Sequence, residues 1–244
     1  MYINNISIFV AAHKQFDEYI YPMNDIYTII YQNNLHFEHK SISLNEDEFT
    51  QRYAKLYSEG CALHYLYTHP ELIKDYIVFY HYRRYFTDFI NHEDKLIEYI
   101  DKYDCLVPEP TLLRCCNYGE LSHNISYEPV KTFLNIIKIN YPEYISDINK
   151  WKYDTIHYGY NIFGMKKENF LKMCDFCFNI LSKLCEEFNL TEDKDILISP
   201  IKCNKFNKYR LIGYFLEHLT HLYYKHNFSN FYQCNLHIPN RIYK

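Results

Sequence analysis

Tyr76-Ile77-Val78-Phe79-Tyr80-His81-Tyr82-Arg83-Arg84-Tyr85-Phe86 is the stretch whose reading decides the fold. Five apolar or aromatic residues in a row offer water no polar face, so residues 76–80 predict a strand buried on both sides. Such strands belong to parallel sheets covered by helices. The run opens directly onto His81, Arg83 and Arg84. In open α/β sheets, ligands sit at the carboxyl ends of the strands.

Working outward, residues 6–12 form another short apolar run, ending in His13-Lys14. Residues 105–107 predict a third strand, closed by Pro108 and Pro110, and residues 156–165 a later one. Helical patterns lie between. Asn45-Glu46-Asp47-Glu48 puts acid where a helix should start, and the pattern runs through residues 49–67 to the stop at His69-Pro70. Further helices are expected around residues 94–102, 128–140, 167–188 and 209–225, with a short one from Pro142. Residues 16–44 read as irregular, 114–126 as a polar loop, 191–208 as a connection and 228–244 as a tail. Strands alternating with helices predict an α/β domain, residues 1–244, with a single mainly parallel sheet flanked by helices.

Composition narrows the function. The 244 residues are 48% hydrophobic and 23% charged, enough for a core without disulfides. The formal net charge of −4 argues against a nucleic-acid partner, since tracking a phosphate backbone calls for a Lys/Arg excess. With only 5 Gly there is neither a dinucleotide fingerprint nor a P-loop. No stretch approaches the ~20 apolar residues of a membrane span. The opening residues lack the pattern of a signal peptide, so a cytoplasmic location is expected, the host's cytoplasm if the source is viral. The 9 Cys are scattered, and Cys174/Cys177 sit inside an apolar helical pattern, which favours buried reduced thiols over a zinc site.

Several residues can carry chemistry. Arg83 and Arg84 can bind diphosphate oxygens through bidentate guanidinium forks while neighbouring rings stack on a base or sugar. A solvated arginine pair beside core aromatics fits the same letters. Lys14 can reach a phosphate from the end of the first strand, or be a plain loop lysine beside His13. Glu59 falls on the apolar side of its helix, where a carboxylate needs a partner such as Arg83 or Arg84, unless it is exposed. Asn161 can read hydroxyls or simply close a turn. Glu217 can deprotonate an acceptor hydroxyl or be a surface acid near Arg210. His218 and His221 have a metal-like spacing, but 13 His make chance pairs common. After Phe79 the chain offers His-Tyr-Arg-Arg-Tyr-Phe where many sugar transferases carry a metal-binding DxD. Two guanidinium groups can take the cation's place, so no metal ligand is assigned, with Mn or Mg as the alternative.

The order of these segments resembles a family of capsular-polysaccharide and lipopolysaccharide glycosyltransferases marked by an HYRRYF box. The likeness rests on residues 10–14, Tyr57-Ser58-Glu59, residues 75–86, 103–108, Tyr141-Pro142-Glu143-Tyr144, residues 160–170 and 210–217. It implies a GT-A-like fold and transfer of a sugar from a nucleotide-diphosphate sugar, a UDP-sugar foremost, to a glycan or glycoconjugate acceptor in polysaccharide biosynthesis. It also implies catalytic roles for Glu217 and His81, and donor-diphosphate binding by His13, Lys14, Arg83 and Arg84. Asn161 and Lys166 fall on the sugar and acceptor side, with Glu59 and Arg210 supporting from behind. Where relatives often carry His-Tyr followed by His-His, this chain has Asn117-Tyr118 and a single His123, assigned to the same side. Glu217 is followed by His218 where the family has Arg. A nucleotide-sugar or carbohydrate-binding protein without turnover is the alternative.

Overall fold

A strand with no polar face has to be covered on both sides, and residues 6–12 are buried at every position in the computed structural model. The structure describes residues 5–21, 24–203 and 208–237. Along them the strands are Ile6–Ala12 (β1), Tyr27–Tyr31 (β2), Ser41–Ser43 (β3), Tyr76–His81 (β4), Cys105–Pro108 (β5), Thr111–Leu112 (β6), Ile156–His157 (β7), Phe163–Lys166 (β8) and Phe231–Cys234 (β9). The helices are Glu48–Tyr57 (α1), Gly60–Thr68 (α2), Asp94–Tyr103 (α3), Asn117–Ile125 (α4), Tyr127–Asn140 (α5), Ile145–Tyr153 (α6), Lys167–Glu187 (α7), Asp195–Ile198 (α8) and Leu211–Asn227 (α9).

Seven strands form one sheet in the order β3-β2-β1-β4-β8-β5-β9, while β6 and β7 make a separate ribbon. All neighbours in the sheet run parallel except β8, which is antiparallel to both β4 and β5. Phe9 lies opposite Phe79 and Val10 opposite Tyr80. Alternate side chains point to opposite faces. Phe9, Ala11, Ile77 and Phe79 enter a large core with residues of α2, α5, α7 and α9. Ile8, Val10, Val78 and Tyr80 enter a second core with Leu96, Ile97 and Ile100 of α3.

The acid cluster caps α1 as expected, with Asp47 accepting the Thr50 N–H at 2.8 Å. The helix expected over residues 49–67 is instead broken at Ser58, whose φ of 54° ends α1 and starts α2. The stretch expected to be irregular holds β2 and β3; β2 is buried on both faces and so lacks the alternation that marks a half-exposed strand. The expected loop at 114–126 contains α4. The strand expected over 156–165 is divided by Tyr160 and Asn161, both at positive φ. The expected tail returns β9 to the sheet beside β5. Its residues 238–244, and 204–207 of the expected connection, lie outside the described residues. No disulfide links the nine cysteines, and six are buried, Cys174 and Cys177 among them. Among the described residues no helix is long and apolar enough to cross a membrane.

The segment after β4 splits into core and site. Phe86 is fully buried and meets the Tyr80 ring edge-on at 5.5 Å, whereas Arg83 is exposed. Phe86→Ala should cost about 3–5 kcal/mol of stability in urea unfolding, while Arg83→Ala should stay within about 0.5 kcal/mol of the parent. Equal losses would contradict this division.

Candidate functional site

The carboxyl ends of β1, β2 and β4 lie side by side, so His13-Lys14, Gln32-Asn33 and His81 meet at one edge of the sheet. After His81 the chain reverses at once: Arg84 N–H donates to the His81 carbonyl at 2.8 Å, and His81 N–H to the Arg84 carbonyl at 3.1 Å. This turn separates the two arginines. Arg83 lies 5.0 Å over the Tyr82 ring, and the half-buried Arg84 lies 4.3 Å over the Tyr160 ring. Each guanidinium therefore sits over its own aromatic ring.

Behind them stand two carboxylates. Glu59 occupies the break between α1 and α2 and is 8% exposed. Arg210, just ahead of α9, donates to its Oε2 at 3.1 Å, and Asn161 donates to its Oε1 at 3.5 Å. Thr220 Oγ1 in turn lies 3.3 Å from Asn161 Oδ1, sharing its proton with the Glu217 carbonyl oxygen at 3.0 Å. The break sits tightly on α9. A Cβ on Gly213 would stand 3.2 Å from the Tyr57 carbonyl oxygen, so only glycine gives the helix this approach without displacement. Glu217, two turns into α9, is partly buried. Its Oε2 lies 3.3 Å from the point a Gly159 Cβ would occupy, and the Tyr160 N–H faces its carboxylate.

The two acids have opposite electrostatics. Burial opposes charge on Glu59, but the Arg210 guanidinium, His81 and hydrogen bonds from the 58–59 segment together outweigh it and hold the carboxyl below the ordinary range. Glu217 has no such contact. Burial, and then the negative charge of Glu59, push it up to about 7, against the pull of the Tyr160 N–H, Arg210 and Arg84. Burial pushes His81 down to about 3, aided by Arg84, so it is a neutral imidazole. Its Nδ1 accepts the Arg83 N–H at 3.4 Å, which leaves the ring proton on Nε2. His13 is also lowered, first by burial and then through Arg210, Arg83 and Lys14.

Beside this cluster a cavity of about 480 Å³ is lined by His13, Gln32, Asn33, Lys55, Tyr209 and Arg210 among others. Lys55 lies 5.2 Å over the Tyr209 ring. Arg83 and Arg84 do not line the cavity. They flank it across His13 and His81, whose rings are 5.6 Å apart.

Of the residues singled out from sequence, His13, Glu59, His81, Arg83, Arg84, Asn161, Arg210 and Glu217 come together, with Lys14 exposed at the rim. Asn161 is 1% exposed and its amide is engaged at both ends, so it links Glu59 to α9 and does not face a ligand. Glu59 pairs with Arg210, not with Arg83 or Arg84. Lys166 does not join the group. Because β8 runs antiparallel, Lys166 pairs with Tyr76 at the opposite end of β4 and bridges to Asp101 at 2.9 Å. His123 is exposed on α4, a helix packed on α5 and α6. Sequence reasoning missed Gln32, Asn33, Lys55, Tyr160, Tyr209 and Thr220. The Gly-Tyr-Asn at 159–161, in the middle of an apparent strand, is the one signal that pointed to such a turn. His218 and His221 lie with His157 in a buried cluster, and among the described residues no group of three or more His, Cys, Asp or Glu is arranged to hold a metal.

A mostly parallel sheet flanked by helices, with its polar cluster at the carboxyl ends of the central strands, defines a GT-A-like fold. The fold is similar to that of the apo structure of WbbM, a bifunctional glycosyltransferase, with a TM-score of 0.71 and 18% identity over 97% of this chain and 46% of that one. The chain thus spans less than half the length of WbbM. A weaker likeness, TM-score 0.36 and 13% identity over 91% of this chain and 85% of the other, is to core-mannan synthase A (CmsA/Ktr4) from Aspergillus fumigatus in its Mn/GDP form. No curated protein sequence matches. The chain belongs to the DUF4422 family, a domain of unknown function, which it matches over residues 7–228.

Opposite electrostatics should give the two acids opposite effects on stability. Glu217 keeps a proton in the folded state that the unfolded chain has lost. Its favourable contribution is complete below the ordinary value of 4.5 and vanishes as pH rises through about 7. Glu59, lowered, contributes above its ordinary value and loses that contribution as pH falls through its folded pKa. Glu217→Gln is therefore expected to stabilise the protein at pH 8 by about 1–3 kcal/mol and to have little effect at pH 4. Glu59→Gln should destabilise it at pH 8 by about 2 kcal/mol, since Arg210 is partly open to water. Urea unfolding at the two pH values measures both, and effects of the same sign at pH 8 would refute the assignment.

Proposed function

We propose that this chain transfers a glycosyl group from a nucleoside-diphosphate sugar, with a UDP-sugar as donor, to a hydroxyl of a glycan or glycoconjugate. The observation that carries the reading is Glu217: a carboxyl held near pKa 7, facing an arginine cluster at the ligand-binding edge of a GT-A-like sheet. A general base works best when its pKa lies near the working pH. The four cations of the neighbourhood, Lys14, Arg83, Arg84 and Arg210, outnumber the two carboxylates, Glu59 and Glu217, leaving a field suited to a diphosphate.

In this mechanism the nucleoside occupies the cavity of about 480 Å³, lined by His13, Lys55, Tyr209 and Arg210 among others. Arg84 and Arg83 close on the diphosphate from the other side of His13, with Lys14 at the rim. The acceptor oxygen attacks the anomeric carbon, its proton passes to Glu217, and the bond from that carbon to the diphosphate oxygen breaks. The leaving diphosphate's charge is met by guanidinium groups already in position. His81, neutral and protonated on Nε2, donates to a donor or acceptor oxygen. Glu59 holds Arg210 in place. Loss of stereochemistry is avoided by a single displacement, which inverts the anomeric centre.

A divalent cation would need oxygen ligands near the diphosphate. Glu59 is paired with Arg210. In this scheme the guanidinium groups take the cation's place, with Mn or Mg on the diphosphate as the alternative.

Thermal shift with UDP-, GDP- and dTDP-sugars, with and without Mn, tests the donor class, since a ligand that binds only the native state raises the melting temperature. A UDP-sugar should give the largest shift, and slow hydrolysis of that donor should be detectable in EDTA. Arg84→Ala should weaken UDP binding by about tenfold or more in calorimetry, and Arg83→Ala by less. Unchanged affinity in both variants rules out diphosphate binding here, and activity abolished by EDTA and restored by Mn rules out the metal-free scheme.

A further inference from the structure

The segment joining β7 to β8 meets α9 at three points, the firmest of them a hydrogen bond to His221. Tyr158 N–H donates to His221 Nδ1 at 3.1 Å. Tyr160 N–H faces the Glu217 carboxylate. Thr220 Oγ1 lies 3.3 Å from Asn161 Oδ1 and 3.0 Å from the Glu217 carbonyl oxygen, and its one proton is shared between these acceptors. Residues 217, 220 and 221 are spaced i, i+3 and i+4, so one face of α9 meets the whole segment. The ties have strain to hold. Tyr160 and Asn161 have φ of 74° and 51°, a left-handed backbone that non-glycine residues hold only where their surroundings enforce it. The same turn carries the ring under Arg84.

His221 anchors the buried end of this seam and is 1% exposed. Accepting through Nδ1 puts its proton on Nε2 and requires the neutral ring, because an imidazolium has no acceptor nitrogen. Burial, then His157 and Lys225, lower it well below the usual value. The groups around it are His157 from β7, with rings 5.4 Å apart, His218 and Lys225 on its own helix, and Asp147, Lys150 and Asp154 across a cavity of about 230 Å³.

We infer that His221 is a positioning residue: by accepting the Tyr158 amide it locks the 158–161 turn onto α9, and so fixes the placement of Glu217 relative to Arg84. The inference rests on the reading of Glu217 as the base. Without the lock, the strained turn relaxes, water reaches Glu217 and the carboxyl becomes an ordinary acid.

The test is a ¹³C carboxyl NMR titration of the full chain, with the Glu217 signal assigned by its loss in Glu217→Gln. His221→Leu keeps bulk and removes the acceptor; His221→Asn restores an acceptor oxygen. The Glu217 midpoint should be about 7 in the parent, fall by ~1 unit or more in the Leu variant, and recover in the Asn variant. Turnover of the UDP-sugar chosen by thermal shift should drop ~100-fold in kcat in the Leu variant, with KM for the donor nearly unchanged. A folded Leu variant with an unmoved midpoint and kcat overturns the inference, as does an Asn variant as impaired as Leu. If the Leu variant does not fold, His221→Phe, which keeps a ring of similar shape and also lacks the acceptor, is titrated in its place: a lowered midpoint supports the lock, and an unmoved one overturns it. The titration needs no donor. Absence of turnover in the parent therefore counts against the transferase reading, and a static midpoint counts against the lock.

Discussion

Two carboxylates share one buried neighbourhood, and only one of them has an arginine in contact. That inequality organises the site. Arg210 reaches Glu59 at 3.1 Å and favours its charged form. The anion then acts on Glu217, which already loses solvation by burial, and raises it to about 7. Were Arg210 placed between the two acids, both would ionise and neither would be basic at neutral pH. The pair thus resembles other sites in which environment drives two like groups to different protonation states.

Maintaining the inequality demands close packing. The α1–α2 break must touch α9 so that Glu59 and Glu217 feel each other, and glycines at 60 and 213 allow that approach: their added Cβ atoms would lie 2.8 Å from Leu216 Cδ2 and 3.2 Å from the Tyr57 carbonyl oxygen. The turn that ends β4 completes the arrangement. It places Arg84 over Tyr160, inside the field of both acids, and Arg83 over Tyr82, nearer solvent. The two arginines are neighbours in sequence but have different surroundings, so their contributions to binding a diphosphate should be unequal.

How much of this was legible in the sequence depended on whether the signal was local. The buried strands at 6–12 and 76–80 were readable because an unbroken apolar run has few other meanings, and the residues they deliver, His13 and His81, were readable with them. Glu59, Asn161 and Glu217 carried a functional and a bland reading each, and the resemblance favoured the functional one and added Arg210 to it. Contacts made across the chain were not readable: Glu59 with Arg210 spans 151 residues, and Asn161 with Glu59 spans 102. Lys166 looked equivalent to Asn161 because an apparent strand joined them. The turn between β7 and β8 and the reversed direction of β8 carry it to the other end of the sheet. Short strands such as β3 and β9 owe their existence to pairing with neighbours, which leaves little trace in their own letters.

The placement of strain follows from the same composition. Glycine is the residue that ordinarily takes a left-handed backbone, yet none of the chain's 5 glycines does so. Gly60, Gly159 and Gly213 instead permit contact between elements. The left-handed positions around the site fall to Ser58, Tyr160 and Asn161, residues with side chains that keep working there: Tyr160 supplies a ring to Arg84, and Asn161 joins Glu59 to Thr220. A glycine at 160 or 161 would relax the backbone and remove that chemistry. Strain borne by a residue whose side chain is used, and opposed by bonds to a single helix face, is what a preorganised site requires, because the geometry is then set before any ligand arrives.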